Sequence, residues 1–407
     1  MIGYIVVIPV FCEPDIITSL ESLWNCERPS LGVEVIVVVN SPEHATKEII
    51  DFNRATVQSL EQWTKAHQDD SFKFTVLDVR LPNKDAGAGL ARKTGMDEAI
   101  KRFNQAGSPG IILSFDADCT CDRNYFTAIE TALREKPQTK GFNIYFEHPV
   151  SGCDFPDAIY KGIIQYELHL RYVNQSLRHA GFPYAYHTVG SCFGVRSDIY
   201  VAQGGMNRRK GGEDFYFLHK VIPLGNFEEI NTTCIRPSPR DSFRVPFGTG
   251  PVIRKFVESG EELNTYAPEI FSDLGKFLNS VPGFYKTDIG AIKTQIDRLP
   301  CCIKEFLYKN NVLSAIEEIN ANSGSEKTFK NRFFRWFTAF RIVKYMNFAS
   351  LGHYPRQPVT TCAATLLKKM GCTESGSTNA MELLDELRRM ENLTCRETDG
   401  ATGRLGE

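Results

Sequence analysis

An α/β fold built on a mostly parallel sheet is predicted by three features of this 407-residue sequence. Over its first half, short β-rich apolar runs alternate with helix-period segments, the pattern of a sheet with helices on both faces. Runs such as "VIVVV" are apolar without alternation, as in strands buried on both sides. Polar and acidic residues collect where these runs end, and open α/β sheets bind their ligands at the carboxyl ends of strands.

The elements follow in order. Strands are predicted at Tyr4 to Val10, Val33 to Asn40, Phe72 to Val79, Ile111 to Phe115 and Gly141 to Phe146. Helices are predicted at Asp15 to Cys26, Ala45 to His67, Gly89 to Phe103, Tyr125 to Arg134 and Asp157 to His179, the first two directly after turn-forming residues. "YHTVGSCFGVRSDIY" then reads as a strand running into a turn and a short helix. The opening "IGYIVVIPVF" lacks a basic leader and a small-residue cleavage site, so it reads as a core strand rather than a signal peptide. No apolar run approaches the roughly 20 residues of a spanning helix. Twelve cysteines without paired CxxC spacing read as reduced thiols, and a cytoplasmic location follows as the expectation. A net charge of −2 gives no case for nucleic acid.

Four stretches carry candidate chemistry. "ILSFDADCT" ends a strand with Asp116 and Asp118, and aspartates at i and i+2 suit a hard cation such as Mg²⁺ or Mn²⁺ that leaves places for substrate phosphates. Composition alone is enough to produce one D-x-D, and a helix-capping pair after a core strand is the structural alternative. "GGEDFYFLHKV" sets Glu213 and Asp214 in a helix's first turn, where the dipole favours an anion and keeps a base ionised; capping is again the plainer reading. "RLPNKDAGAGLARKTG" opens a helix with Gly87 and Gly89 after Asp85 and carries Arg92 and Lys93, a combination that suits a diphosphate. It matches neither the P-loop nor the dinucleotide glycine pattern. "RPSPRDSFRVPFGTG" holds Arg236, Arg240 and Arg244 on a segment that Pro and Gly keep irregular, and such a loop suits closure over a phosphate. A solvated surface loop is the alternative.

In order and spacing these stretches resemble the motifs of family-2 glycosyltransferases with the GT-A fold. "VVIPVFCEPD", with Pro9 and Glu13, is similar to their "IPVYNE"; "VEVIVVVNSPEHA" takes the place of "EIIVVDDGS"; "DAGAGLARKTG" resembles their glycine-rich segment; "SFDADC" resembles their DXD; "VGSCFGVRSDIYVAQGGM" resembles "GSNFAIRREVLEELGGF"; and "GGEDFYF" resembles "EDxDL". The resemblance spans roughly residues 4 to 221. It implies a GT-A, Rossmann-like sheet and a transferase that takes a sugar from a UDP-, GDP- or dTDP-linked donor to a glycan or lipid-linked acceptor, in glycan or cell-surface polysaccharide assembly. By position it implies Glu13 near the nucleotide, Asn40 where an aspartate usually meets the base or ribose, Arg92 in the glycine-rich segment, Asp116 and Asp118 on Mn²⁺ or Mg²⁺, and Asp214 as the catalytic base. The processive members carry QxxRW; "RFFRW" at 332 to 336 lacks the glutamine, which favours addition of a single sugar. A base opposite the leaving diphosphate predicts inversion.

Two alternatives stay open on sequence. A sugar-phosphate nucleotidyltransferase needs a GGxGTR-type loop where this chain has "VFCEPD". A non-catalytic sugar-nucleotide-binding protein of the same fold needs nothing more than is present.

After about residue 255 the pattern turns helical. The expected organisation is a catalytic domain at 1–255, a mainly helical region at 256–390 with an acceptor, oligomer or membrane-surface role, and a polar tail at 391–407. "FKNRFFRWFTAFRIVKYMNF", residues 329 to 348, places aromatics at helical spacing among Arg332, Arg335, Arg341 and Lys344. Packing is the default reading there, and peripheral attachment to the inner face of an anionic membrane is the alternative.

Overall fold

Eight strands form one twisted sheet: β1 (Ile2–Val10), β2 (Gly32–Pro42), β3 (Phe72–Leu81), β4 (Ile111–Ser114), β5 (Cys119–Cys121), β6 (Gly141–Phe146), β7 (Phe193–Arg196) and β8 (Phe227–Pro237). They lie in the order β3-β2-β1-β4-β7-β6-β8-β5. The structure is a computed structural model and describes residues 2–242, 248–372 and 378–401. Strands β3, β2, β1 and β4 run parallel, β7 is antiparallel to both neighbours, β8 is parallel to β6, and β5 pairs antiparallel with the end of β8. The α/β class and the helical C-terminal region are therefore as predicted.

The centre of the sheet is dry because its strands are covered on both faces. Ile5, Val6, Val7, Ile8 and Val10 of β1, and Val35 to Val39 of β2, have no exposed surface. Flanking helices are α1 (Ile16–Trp24), α2 (Lys47–Ala66), α3 (Ala88–Ala106), α4 (Tyr125–Glu135), α5 (Asp157–His179), α6 (Ser197–Ala202), α7 (Glu213–Val221) and α8 (Thr249–Ser259). Helix α3 lies tight on β1 and β2 because Gly95 lets it: a Cβ there would meet Val7 Cγ1 at 2.4 Å and Val38 Cγ2 at 2.9 Å. That contact fixes the height of Arg92, one turn earlier on the same helix.

Compact packing divides the chain into two units. The first comprises Met1–Ile163, Thr188–Ser259 and Glu391–Glu407, and the second Ile164–His187 and Gly260–Met390. In the second, α9 (Pro268–Ser280), α10 (Ile289–Asp297), α11 (Cys301–Lys309), α12 (Val312–Ala321), α13 (Glu326–Trp336), α14 (Ala339–Gly352) and α15 (Val359–Lys369) surround an aromatic core. The aromatic run of 329–348 is interrupted at Thr338, whose side chain accepts from Arg341 N and starts a new helix. Phe329, Phe333, Phe334 and Phe337 are buried, and Phe277 lies 5.9 Å from Phe333 and 5.2 Å from Phe337 between ring centroids. Those four rings are thus packed inside this unit, while Trp336 is half-buried and Phe340 is exposed. In the same unit Glu167 has no exposed surface and accepts from Arg171 Nε at 2.9 Å and from Arg388 Nε at 2.8 Å, a paired buried charge. Among the described residues no helix is long and apolar enough to cross a membrane.

Candidate active site

The sheet has its topological switch at β1, whose neighbours β2 and β4 are reached by connections leaving in opposite directions. Ligand crevices in such sheets open beyond the carboxyl ends of the strands flanking that switch. Glu13 follows the end of β1, Asn40 ends the core of β2, and Asp116 follows β4. Because β7 runs antiparallel to β4, with Ser114 opposite Phe193, the segment before β7 brings Gly190 to the same place. Because β5 pairs Cys119 with Pro237, the residues after β8 come alongside Asp118.

Arg92 is the hub. Only 3% of its side chain is exposed, and its guanidinium donates to Asp116 Oδ1 at 2.8 Å, Glu213 Oε1 at 3.2 Å, Ser114 Oγ at 2.5 Å and Gly190 O at 3.2 Å. Its partners lie 24 and 121 residues away along the chain at Asp116 and Glu213. Burial works against the charged form, but Asp116 and Glu213 outweigh it and hold the proton more firmly than usual. Ser114 Oγ donates to Gly190 O at 2.6 Å, closing the network. Four of its five N–H groups are thereby engaged by the protein itself.

Helix α7 delivers the second acidic pair. Gly212, at φ 67°, turns the chain into the helix, and Glu213 follows, buried against Arg92. A Cβ on Gly89 would meet Arg209 O at 2.0 Å and Glu213 Cβ at 3.0 Å, and one on Gly87 would meet Lys210 Cα at 3.2 Å. The glycines at the start of α3 therefore make room for the 209–210 backbone. Asp214 accepts from Phe215 N at 2.7 Å, and its carboxyl is pushed up to about 7 by desolvation first and by the neighbouring Glu213 second; Arg92 partly opposes this. A Cβ on Gly190 would sit 3.2 Å from Asp214 Oδ2 and 3.1 Å from Arg92 Nη2. A carboxyl poised between its two forms near neutrality is what a general base requires.

A second arginine closes the other side. Arg240 donates through Nη1 to Glu13 Oε1 at 2.8 Å and through Nη2 to Glu13 Oε2 and to Asp118 Oδ2, the latter at 3.0 Å. Glu13 is 2% exposed, so this pairing keeps a buried carboxylate compensated. Asp116 and Asp118 retain 35% and 28% of their side-chain surface in solvent, which makes them the acids an incoming ligand meets. Among the described residues no group of three or more His, Cys, Asp or Glu side chains stands ready to hold a metal. In donor type the acids fit a hard divalent cation. Arg92 pairs with Asp116 and Glu213, and Arg240 with Glu13 and Asp118.

The other predicted residues are distributed as follows. Pro9 lies in β1 opposite Val38. Asn40 is buried and donates from Nδ2 to Val10 O at 2.7 Å, so its amide ties β2 to β1. Asp85 lies in the turn before α3, where its N–H donates to Pro82 O at 2.9 Å. Arg244 lies outside the described residues. His219 stacks on Phe215 one turn along α7 and joins no acidic cluster. Sequence reasoning missed Ser114 and Gly190, which complete the Arg92 network. It also missed Asn53, which donates to Asn40 O at 2.8 Å and Ser41 Oγ at 2.9 Å and accepts from Cys12 N at 3.1 Å. An asparagine on the buried face of an amphipathic helix is the one signal that marks it.

No protein-family model matches the sequence, and no curated protein sequence matches it. Solved structures of similar fold exist. One is TarS 1-349 from S. aureus in complex with UDP-GlcNAc, at 13% identity over 81% of this chain and 89% of that one, with a TM-score of 0.42. Others are GalNAc-T7 with UDP, GalNAc and Mn²⁺ (11% identity, 87% and 58% coverage, TM-score 0.38) and the mannosyltransferase PcManGT from Pyrobaculum calidifontis with GDP-Man and Mn²⁺ (11%, 96% and 87%, 0.37).

Proposed function

We propose that the chain is a glycosyltransferase that moves one sugar from a nucleotide-diphosphate donor to an acceptor hydroxyl with inversion, in glycan assembly. The observation that supports this most is the Arg92 network, in which one buried guanidinium joins the DAD acid Asp116 to the acidic pair of α7 at the sheet's switch point. An isolated capping pair or strand end has no need of such a connection.

Asp214 accepts the proton of the acceptor hydroxyl as its oxygen attacks the anomeric carbon, and the nucleoside diphosphate departs from the opposite face. Its carboxyl, pushed up to about 7, releases that proton readily once the product has formed. Arg92 and Glu213 fix the first turn of α7 so that Asp214 does not swing away. Asp116 and Asp118, with Glu13, are the residues that would hold a divalent cation, which when bound offsets charge on the leaving diphosphate.

The test is a screen of UDP-, GDP- and dTDP-sugars for thermal stabilisation of the whole chain, with and without Mn²⁺ or Mg²⁺. A donor that raises the melting temperature is then offered with candidate acceptors. Asp214→Asn is expected to keep donor binding and to lose turnover by about 10²–10⁴-fold. If no nucleotide sugar shifts melting, the reading is wrong.

A further inference from the structure

We propose that a cavity in the second unit binds a small phosphate monoester carrying an apolar organic group. The cavity has a volume of about 320 Å³ and lies among α5, α9 and α15, with all its lining residues inside that unit. Such a size is at the small end of the range for ligand pockets. The inference does not rest on the transferase reading, because it concerns residues outside the Arg92 and Arg240 networks.

Three observations carry it. The inner lining is apolar: Phe271, Leu366 and Ala180 are each 5% exposed, and Gly275 lies close to Ala180, its would-be Cβ 3.4 Å from the Ala180 Cα. The lining also brings Lys276, Lys369 and His179 together from three helices and includes no carboxylate. Finally, these three side chains are uncommitted. Among the described residues none of them makes a hydrogen bond, and the ion pair of Lys276 with Asp273 spans 3.8 Å.

Helix-end charge does not account for the set. His179 and Lys369 stand in the last turns of α5 and α15, where a cation suits the carbonyl end of a helix. Lys276 stands before the last turn of α9, and its partner Asp273 is buried and accepts from Tyr354 OH at 2.8 Å. A phosphate monoester matches this lining in both parts. Its three terminal oxygens accept from donors on three helices at once, and its organic group covers Phe271 and Leu366. A carboxylate has one oxygen fewer, and inorganic phosphate would leave the apolar lining against water.

The experiment measures binding of 1-naphthyl phosphate to the full chain by isothermal titration calorimetry at neutral pH. Wild type is expected to bind it at least about tenfold more tightly than inorganic phosphate or 1-naphthol, since each of those offers one half of the match. Lys276→Gln combined with Lys369→Gln should weaken binding by about tenfold or more, as loss of charge-assisted contacts implies. Its melting temperature should stay unchanged, because both lysines are exposed. Equal affinity in wild type and the double variant, equal affinity for either half-ligand, or no binding at all overturns the site. Capture of the chain by phosphatidylcholine vesicles containing phosphatidic acid, without uptake of 1-naphthyl phosphate, overturns it as well, since the lysines then meet a lipid surface.

Discussion

Asp214 offers a test that needs no substrate. Its carboxyl titrates at about 7 in the folded chain against an ordinary value of 3.8, because protein surrounds it and Glu213 stands beside it. Between roughly pH 4 and 7 the unfolded chain has released this proton while the folded chain still holds it. Stability therefore falls with rising pH across that window, by about 1.4 kcal/mol per unit, and levels off above the folded value. Over some three units the loss is at most about 4 kcal/mol. Asp214→Asn is neutral at every pH and escapes the loss. Urea unfolding of both proteins from pH 4 to 8.5 should show the variant gaining on wild type up to about pH 7 and then running parallel. A constant difference across this range would refute the poised carboxyl, and with it the assignment of Asp214 as a base near neutrality.

Arg92→Met keeps bulk on α3 but leaves Asp116 and Glu213 without their guanidinium, and should cost about 3–5 kcal/mol in denaturant unfolding. The deficit should shrink as pH falls and the stranded acids protonate; a pH-independent deficit contradicts the network. Gly89→Ala forces the Arg209 carbonyl from 2.0 Å and should destabilise by about 1–3 kcal/mol, measured by thermal melting, whereas an unchanged melting temperature would mean that the 209–210 backbone does not pack there.

Strands buried on both faces were the legible part of the fold. β1 and β2 announce themselves because water reaches neither side, so nearly every residue is apolar. β8 was hidden: in "FEEINTTCIRP" polar and apolar residues follow no clean alternation, and its register slips between Ile144 and Phe146 of β6, so a two-residue period never builds up. β5, three residues long, is too short to leave any period. At the site, Asp116, Asp118, Glu213 and Asp214 were visible as acids at element ends. Their partners were not, because Arg92 and Arg240 choose acids through sheet order, which local sequence does not encode. Gly87 and Gly89 show the same limit: a glycine-rich helix start suits an anion or a crossing backbone equally well, and here the backbone of 209–210 lies against it.

The two arginines look interchangeable along the chain, each a cation near glycine or proline in a segment that suits phosphate. The fold separates them by enclosure and by the number of acceptors each one meets. A guanidinium that is 3% exposed and donates to four groups is part of the scaffold, and its charge sets the electrostatics of the acids around it. One that is 15% exposed, bridges two acids and leaves Nε unmatched is held less completely. Rigid placement of Asp214 requires the first kind of arginine, because a base that drifts loses its alignment with the acceptor hydroxyl. The second kind joins the segment beyond β8 to the acid after β1 and the acid before β5. The same residue type thus ties two different sets of acids, and sheet topology decides which arginine meets which.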